Sequence, residues 1–497
     1  DLSVGEIGKM LVNDPNTETI ILFLETLRNS DEVAEMSRMA HAAGKQIICY
    51  KLGKSELGKE LAKSHTGAIA GNDDAFNAFI NYHGIARVEI FETLIEIPNL
   101  FKNKKKPESK RVGIVTTTGG GGAMVVESLS GSDIEIVNPG LSIKKIMQEN
   151  NIAFNNNKLV DLTIAGTKPE IVNEVISQMM KNKNCDLVVM VVGSSAKFRP
   201  EQAVEPLLKW ANHSKPLAVY VAPDAPEALT LLHKNNIACF RTPESCAESV
   251  KTFLNTKNPV KPKILKNDLS NISKKLKKNI SKNLSEEEAL EIFKDIGIQI
   301  VDYKVSFNEK QAIEHSSQIG FPLAMKVLSN QILHKTETGG VELNIKNLEE
   351  LKTSFQKLSD VFQKLKMKSS DEKFLIQKME KGIAEIILGY RVDELVGPIV
   401  VLGSGGILSE IYNDKSIRMA PVDITEAKKM INEVKSLVTI TGYRGLPEAD
   451  INIIANAVVN MSKFAFVREI KEAEINPVIV KKENEGIVAV DGLITLN

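Results

Sequence analysis

The sequence predicts an α/β chain in which two doubly wound α/β domains are followed by an α+β domain. Three observations carry that reading. Short apolar runs of strand length alternate with helical patterns through the first half, as in parallel strands joined by crossover helices. A glycine-rich turn sits between one such strand and the helix that follows it. Beyond a stretch rich in Lys, Asn and Ser, strands and helices mix without strict alternation. A length of 497 residues accommodates about three ordinary domains.

In the first domain, residues 1–101, the apolar runs 19–24 and 46–50 read as buried strands. Residues 31–43 between them carry apolar side chains at helical spacing. The Lys-rich stretch 102–110, with Pro107 in it, reads as a solvated linker. The second domain, 111–255, has strand candidates at 112–116, 134–137, 187–192 and 217–221, separated by helical stretches such as 169–181 and 200–212. Residues 256–283 read as a solvated connector rather than a binding patch. In the third domain, 284–497, Ser285 and Glu288 form a capping box for a helix running to Ile296. Strand candidates follow at 323–327, 374–379, 386–392, 399–402, 478–480 and 487–490.

Composition narrows the function classes. Hydrophobic residues at 43% and charged residues at 25% are those of a soluble globular protein. Lys+Arg and Asp+Glu both total 63, and a net charge of zero gives no support for a nucleic-acid or membrane-surface partner. No apolar run is long enough to span a bilayer, and no signal peptide opens the chain. The cysteines, Cys49, Cys185, Cys239 and Cys246, form no CxxC pair or metal cluster, which fits a reducing, cytoplasmic setting. The chain opens on Asp rather than Met and leads directly toward a strand, so a segment upstream is expected.

Three motifs bear chemistry. The first runs from Lys63 through Ser64, His65, Thr66, Gly67, Ala68, Ile69 and Ala70 to Gly71. A helical pattern ends before it, and Asn72 is placed to cap a helix over 73–82. His65 thus falls in a loop of small residues that leaves room for a phosphate to approach. A neutral imidazole is a good nucleophile near neutral pH and forms a phosphoramidate with an acyl phosphate. On spacing alone, a surface loop histidine is the plainer reading.

The second motif is Thr116-Thr117-Thr118 followed by Gly119, Gly120, Gly121 and Gly122, between the strand 112–115 and a helix over 124–129. A strand, glycine loop and helix in that order offer backbone N–H groups and a positive dipole end to a phosphate. The alternative is a tight turn with close helix packing. The Lys-Ser/Thr of a P-loop and the spacing of a dinucleotide fingerprint are missing.

The third motif is spread over the last domain. Lys326 lies at the end of a strand, before His334, Lys335 and the glycines 339–340. Two lysines beside a glycine-bearing loop suit nucleotide phosphates. Glu410, Glu474, Asn476 and Asp491 offer the hard oxygens that Mg²⁺ prefers. Taken singly, each reads as an ordinary surface residue.

Together and in this order, the motifs resemble the NDP-forming acyl-CoA synthetases, relatives of succinyl-CoA synthetase, over nearly the whole chain. The resemblance implies two flavodoxin-like domains of the succinyl-CoA synthetase type and an ATP-grasp domain. The Ser64–Ala68 run is similar to the family's phosphohistidine loop, and Glu25 to the carboxylate that holds this histidine. The glycine run resembles a phosphate-facing helix start. Lys326 resembles the phosphate-binding lysine, with Lys335 near it. Gln377 to Met379 fall at the adenine hinge, with Glu385 just beyond. Gly405, Gly406, Ile407, Glu410 and the run Arg418-Met419-Ala420-Pro421 match further signatures. Asn476 and Asp491 match two magnesium ligands, joined in the metal set by Glu410, and His334 matches a second phosphoryl-accepting histidine.

The implied activity joins a carboxylic acid to CoA with ATP converted to ADP and phosphate, reversibly, through an acyl phosphate and a phosphohistidine. It implies ATP or ADP, Mg²⁺ and CoA, and either a homo-oligomer or a missing N-terminal CoA-binding domain. The four-glycine run departs from the commoner Gly-Gly-Pro-Gly form, and residues 191–198 resemble a branch of aryl- or feruloyl-CoA synthetases. The alternative is a non-catalytic or regulatory CoA- and nucleotide-binding protein, related to synthetase-like protein acetyltransferases. Retention of His65 and the lack of an acetyltransferase pattern weigh against it.

Overall fold

Parallel pairing organises the first half of the chain, as the apolar runs predict. The structure, a computed structural model, describes residues 2–55, 57, 72–102, 104, 106–154, 158–260, 269–277, 281–329, 338–364, 372–406 and 414–497. Two compact units divide the chain: Asp1–Asp73 with Ile80–Val260, and Asp74–Phe79 with Lys261–Asn497.

In the first unit, β1 (Thr19–Leu24), β2 (Gln46–Lys51) and β3 (Ala86–Val88) form one parallel sheet in that order. A second parallel sheet takes β4 (Arg111–Thr116), β5 (Glu135–Ile136), β6 (Leu159–Asp161), β7 (Leu187–Val192), β8 (Leu217–Val221) and β9 (Ala238–Phe240). Its order is β5-β4-β7-β8-β9, with β6 also on β4. β7, Leu-Val-Val-Met-Val-Val, is buried at every position, as a central strand covered on both faces must be. β1 alternates instead, leaving Ile21 and Phe23 exposed at the edge of its sheet. The two sheets share a core in which Ile48, Val88, Leu94 and Leu100 join Val112, Val189, Phe240 and Phe253.

Three expectations need correction here. The glycines of the second motif are not a loop: the helix Gly119–Leu129 begins on them, so they are its first turn. The stretch 102–110 is not simply solvated, because Lys104 Nζ donates to the carbonyls of Ala211 (2.6 Å) and His213 (2.7 Å). These carbonyls follow the helix Pro200–Leu208, where helical partners have run out. The connector 256–283 contains the helix Ser270–Leu276, whose Ile272 and Leu276, one turn apart, are buried in the core of the second unit.

The second unit holds two antiparallel sheets. The smaller takes β10 (Tyr303–Ser306), β11 (Leu323–Val327), β12 (Val341–Ile345) and β13 (Phe374–Lys378), in the order β10-β13-β11-β12. The larger takes β14 (Ala384–Asp393), β15 (Gly397–Ser404), β16 (Lys415–Met419), β17 (Ile470–Val480), β18 (Ile487–Ala489) and β19 (Gly492–Leu496). Its order is β16-β15-β14-β17-β18, with β19 also on β17. The capping box forms as expected: Ser285 Oγ accepts from Glu288 N, and the Glu288 carboxylate accepts from Ser285 N. It opens the helix Glu286–Asp295, whose Ala289, Leu290 and Phe293 face the core.

Candidate active site

The richest cluster of the predicted residues lies in the second unit. β11, Leu-Ala-Met-Lys-Val, is buried at all five positions, which places the Lys326 side chain inside the protein. Lys326 stands opposite Leu375 on β13, and Ala324 opposite Gln377. Opposed residues share a face, as do residues two apart on one strand, so Lys326 and Gln377 project to the same side. There they meet Glu286, the first residue of the capped helix. Lys326 Nζ donates to Glu286 Oε1 at 2.7 Å and to the Val490 carbonyl at 3.1 Å, and pairs with Asp491 Oδ2 at 3.2 Å. Gln377 Nε2 donates to the same Glu286 oxygen at 3.3 Å and to the same carbonyl at 3.1 Å. Burial works to lower the Lys326 pKa, but Glu286 and Asp491 outweigh it and hold the ammonium above its ordinary range. A buried ammonium needs such partners, since its desolvation is costly without them.

The metal candidates assemble beside this pair. β17 pairs with β18 through Val478–Ala489 and with β19 through Ile475–Gly492, so Asn476 and Asp491 fall opposite one another. Asn476 N donates to the Asp491 carbonyl at 3.4 Å, and Asp491 Oδ1 accepts from Gly492 N at 2.9 Å. The strand candidates 478–480 and 487–490 therefore pair as an antiparallel hairpin. Asn476 Nδ2 donates to Glu474 Oε1 at 3.3 Å, which turns its amide oxygen the other way. Burial, with Glu472 and Asp491 adding repulsion, raises the Glu474 pKa. Carboxylate and amide oxygens in a place already crowded with negative charge fit a hard divalent cation. Among the described residues, no group of three or more His, Cys, Asp or Glu could hold a metal unaided. A metal at Asn476 and Asp491 would thus complete its shell with water and phosphate, the habit of Mg²⁺.

The other nucleotide candidates are spread out. Met379 N donates to the Pro322 carbonyl at 3.0 Å. Glu385, exposed on β14, accepts at its carbonyl from Gly405 N at 2.7 Å. A Cβ on Gly405 would come within 2.8 Å of the Glu385 backbone, which explains the glycine. Arg418 does not join Lys326. It sits on the edge strand β16, three strand spacings, or about 14 Å, from β17. Its guanidinium is committed to Glu426 at 2.8 Å and Glu433 at 2.5 Å. Lys335, His334 and Glu410 lie outside the described residues.

In the first unit, the C-terminal edge of the β1-β2-β3 sheet carries charge. Glu25 follows β1 directly, and Leu24 pairs with Lys51 at the end of β2. Lys51 is buried and pairs with Asp73 at 3.6 Å, while Arg87 of β3 pairs with Asp73 at 2.8 Å. His65 itself lies outside the described residues, between Leu57 and Asn72. In the second sheet the helix Gly119–Leu129 starts at the C-terminal end of β4, where parallel sheets bind ligands. Its glycines divide by role. A Cβ on Gly121 or Gly122 would come within 2.9 Å of Thr118 or Thr116 side chains, whereas one on Gly120 would meet nothing within 4 Å. Gly119 faces Asp161 Oδ2, at 2.6 Å from where its Cβ would be. Close packing therefore accounts for Gly121 and Gly122, the Asp161 carboxylate stands against Gly119, and Gly120 faces open space at the helix start.

Glu286, Lys51 and Asp73 were not among the predicted site residues. Glu286 had a signal, because 286, 289, 290 and 293 repeat at helical spacing on the buried face. Lys51 ends the apolar run Ile-Ile-Cys-Tyr-Lys, where a buried lysine calls for a partner.

Known proteins resemble this chain over the same parts. Residues 275–496 match the ATP-grasp domain family, and residues 1–101 match the succinyl-CoA ligase like flavodoxin domain. Over 212 residues the chain is 37% identical to the beta subunit of an ADP-forming acetate–CoA ligase I of Pyrococcus furiosus, covering 90% of that subunit and 42% of this chain. The chain belongs to the ADP-forming acyl-CoA synthetase family. Another relative of this synthetase chain is the ADP-forming 4-hydroxybutyrate–CoA ligase of Nitrosopumilus maritimus, 26% identical over 508 residues, with 100% of this chain and 73% of that protein covered. A solved structure of the Ca. Korarchaeum cryptofilum dinucleotide forming acetyl-coenzyme A synthetase 1, in complex with coenzyme A, Ca-AMPCP and HgCl+, is 32% identical with a TM-score of 0.42, over 46% of this synthetase chain and 99% of that one. No helix among the described residues of the synthetase is long and apolar enough to cross a membrane.

Proposed function

We propose that this chain catalyses phosphoryl transfer in an ADP-forming acyl-CoA synthetase, with a carboxylic acid and CoA as its further substrates. One observation carries the reading: within the residues that match the ATP-grasp domain, a buried lysine pairs with Asp491, which stands across the strand pair from Asn476. Lys326 supplies positive charge to the nucleotide phosphates. Asn476 and Asp491 would hold Mg²⁺, which when bound neutralises phosphate charge and orients the terminal phosphoryl group. His65 attacks that phosphorus, the bond to the ADP oxygen breaks, and ADP leaves. The phosphoryl group then passes from His65 to an oxygen of the carboxylic acid, giving an acyl phosphate and restoring the imidazole. The thiolate of CoA attacks the acyl carbon and phosphate departs. A covalent carrier divides one difficult transfer into easier ones.

Glu25 would accept the N–H of one ring nitrogen of His65 and so fix its tautomer. The open side of Gly120 would admit phosphate to the helix start. The test is incubation with γ-labelled ATP and Mg²⁺, followed by peptide mapping at alkaline pH. An acid-labile, base-stable label on His65 is expected. Label retained at the wild-type level in His65→Ala, and not located on His334, refutes the assignment.

A further inference from the structure

We propose that Lys326 is a resident counter-cation for Asp491, anchored by Glu286 as a positioning residue, and that Mg²⁺ replaces it at Asp491 when the nucleotide binds. The inference rests on the reading of this unit as a nucleotide site. The three partners of the Lys326 ammonium are unequal. Glu286 is buried and lies at 2.7 Å, and the Val490 carbonyl is at 3.1 Å. Asp491 lies farther away, at 3.2 Å, and 41% of its side chain is exposed. The interaction at the solvent edge is the weaker one, screened by water. The ammonium can therefore release Asp491 without leaving its cluster.

A divalent cation on Asp491 would sit at about 2.1 Å from the carboxylate oxygen. The ammonium cannot share that oxygen with a cation so close, because like charges repel. Displaced from Asp491 but still tied to Glu286, Lys326 would stay in the cluster with its charge available to a nucleotide phosphate. Gln377 shares the Glu286 oxygen and the Val490 carbonyl with the lysine, so those acceptors keep a donor during the exchange. Glu286 thus does more than neutralise Lys326: it would hold the lysine in the cluster when Asp491 is given up.

The experiment follows Mn²⁺, the metal alone, by electron paramagnetic resonance on the full chain without nucleotide. Lys326→Met combined with Glu286→Gln removes the competing ammonium and leaves neutral side chains of similar size, which protects folding. This protein should bind Mn²⁺ about fivefold more tightly than wild type, the worth of a partly exposed ion pair. Glu286→Gln alone, which leaves Lys326 to lean on Asp491, should bind Mn²⁺ about fivefold more weakly. Glu286→Asp should return the affinity toward wild type, a rescue that a merely structural role would not give. Equal affinity in wild type and the double variant overturns the exchange. Unchanged affinity in Glu286→Gln overturns the positioning role. Adding ADP separates the two readings: Mn²⁺ competition without any binding of Mn²⁺·ADP overturns the nucleotide site and leaves the competition standing.

Discussion

Removing one member of the Lys326–Glu286 pair should cost more stability than removing both. In Lys326→Met the Glu286 carboxylate, with its side chain 1% exposed, loses its short ammonium partner. Breaking a buried pair from one side costs about 3–5 kcal/mol, whereas replacing both members by neutral groups is often close to neutral. Two features favour the lower end. Gln377 still donates to Glu286 at 3.3 Å, and Asp491 is exposed enough to regain water. The expected loss is about 3 kcal/mol for Lys326→Met. At about 2–4 °C per kcal/mol for a domain of about 150–250 residues, that is a fall of about 6–12 °C in the melting transition of this unit. Lys326→Met with Glu286→Gln should recover most of that fall. Scanning calorimetry on the four proteins of the double-mutant cycle gives the coupling directly. Additive effects, with the double variant melting at the sum of the two single losses, would refute the reasoning.

Three further outcomes are expected. Gly121→Ala places a Cβ against Thr118 and Val191 and should cost about 1–3 kcal/mol by overpacking, while Gly120→Ala, facing open space, should melt within a degree or two of wild type. Ser285→Ala removes the hydroxyl half of the capping box and should lower stability by about 0.5–2 kcal/mol, read from urea midpoints. His83, buried, has its pKa pushed down from 6.5 to about 4 by burial first and Arg38 second. The unfolded chain therefore takes up a proton that the fold refuses, so stability is full above about pH 6.5 and falls as pH drops toward 4. His83→Gln should flatten that acid limb, and an unchanged slope of urea midpoint against pH would remove His83 as its source.

Much of the fold was legible because apolar runs and caps are local. β7 and β8 coincide with the runs 187–192 and 217–221, and the Ser285 capping box opens its helix where expected. The helix Ser270–Leu276 was hidden because its serines and lysines dominate the composition, while Ile272 and Leu276 anchor it. β17 runs from Ile470 to Val480, yet only its last three residues read as a strand, because Lys471, Glu472, Glu474 and Pro477 interrupt the apolar pattern. The strand holds through them because β14 pairs along one side and β18 and β19 along the other. Asn476 and Asp491 were singled out by the family resemblance, and the strands between them, 478–480 and 487–489, bring them opposite one another. Glu286 carried only the helical spacing that puts it on the buried face with Ala289, Leu290 and Phe293, a signal masked because an acidic first turn is expected of any well-capped helix.

The Lys326 cluster also bears on chemical survival. Acyl phosphates and thioesters are electrophiles, and an enzyme of this family works among acylating agents of its own making. An amine is acylated only when it has lost its proton and can reach the carbonyl carbon. Lys326 keeps its proton, because Glu286 and Asp491 hold its pKa up against burial, and its side chain is enclosed by β11 and β13. The ion pairs that preserve the charge thus deny the nitrogen its nucleophilic lone pair, and the contacts that hold Lys326 in place also shelter it from acylation.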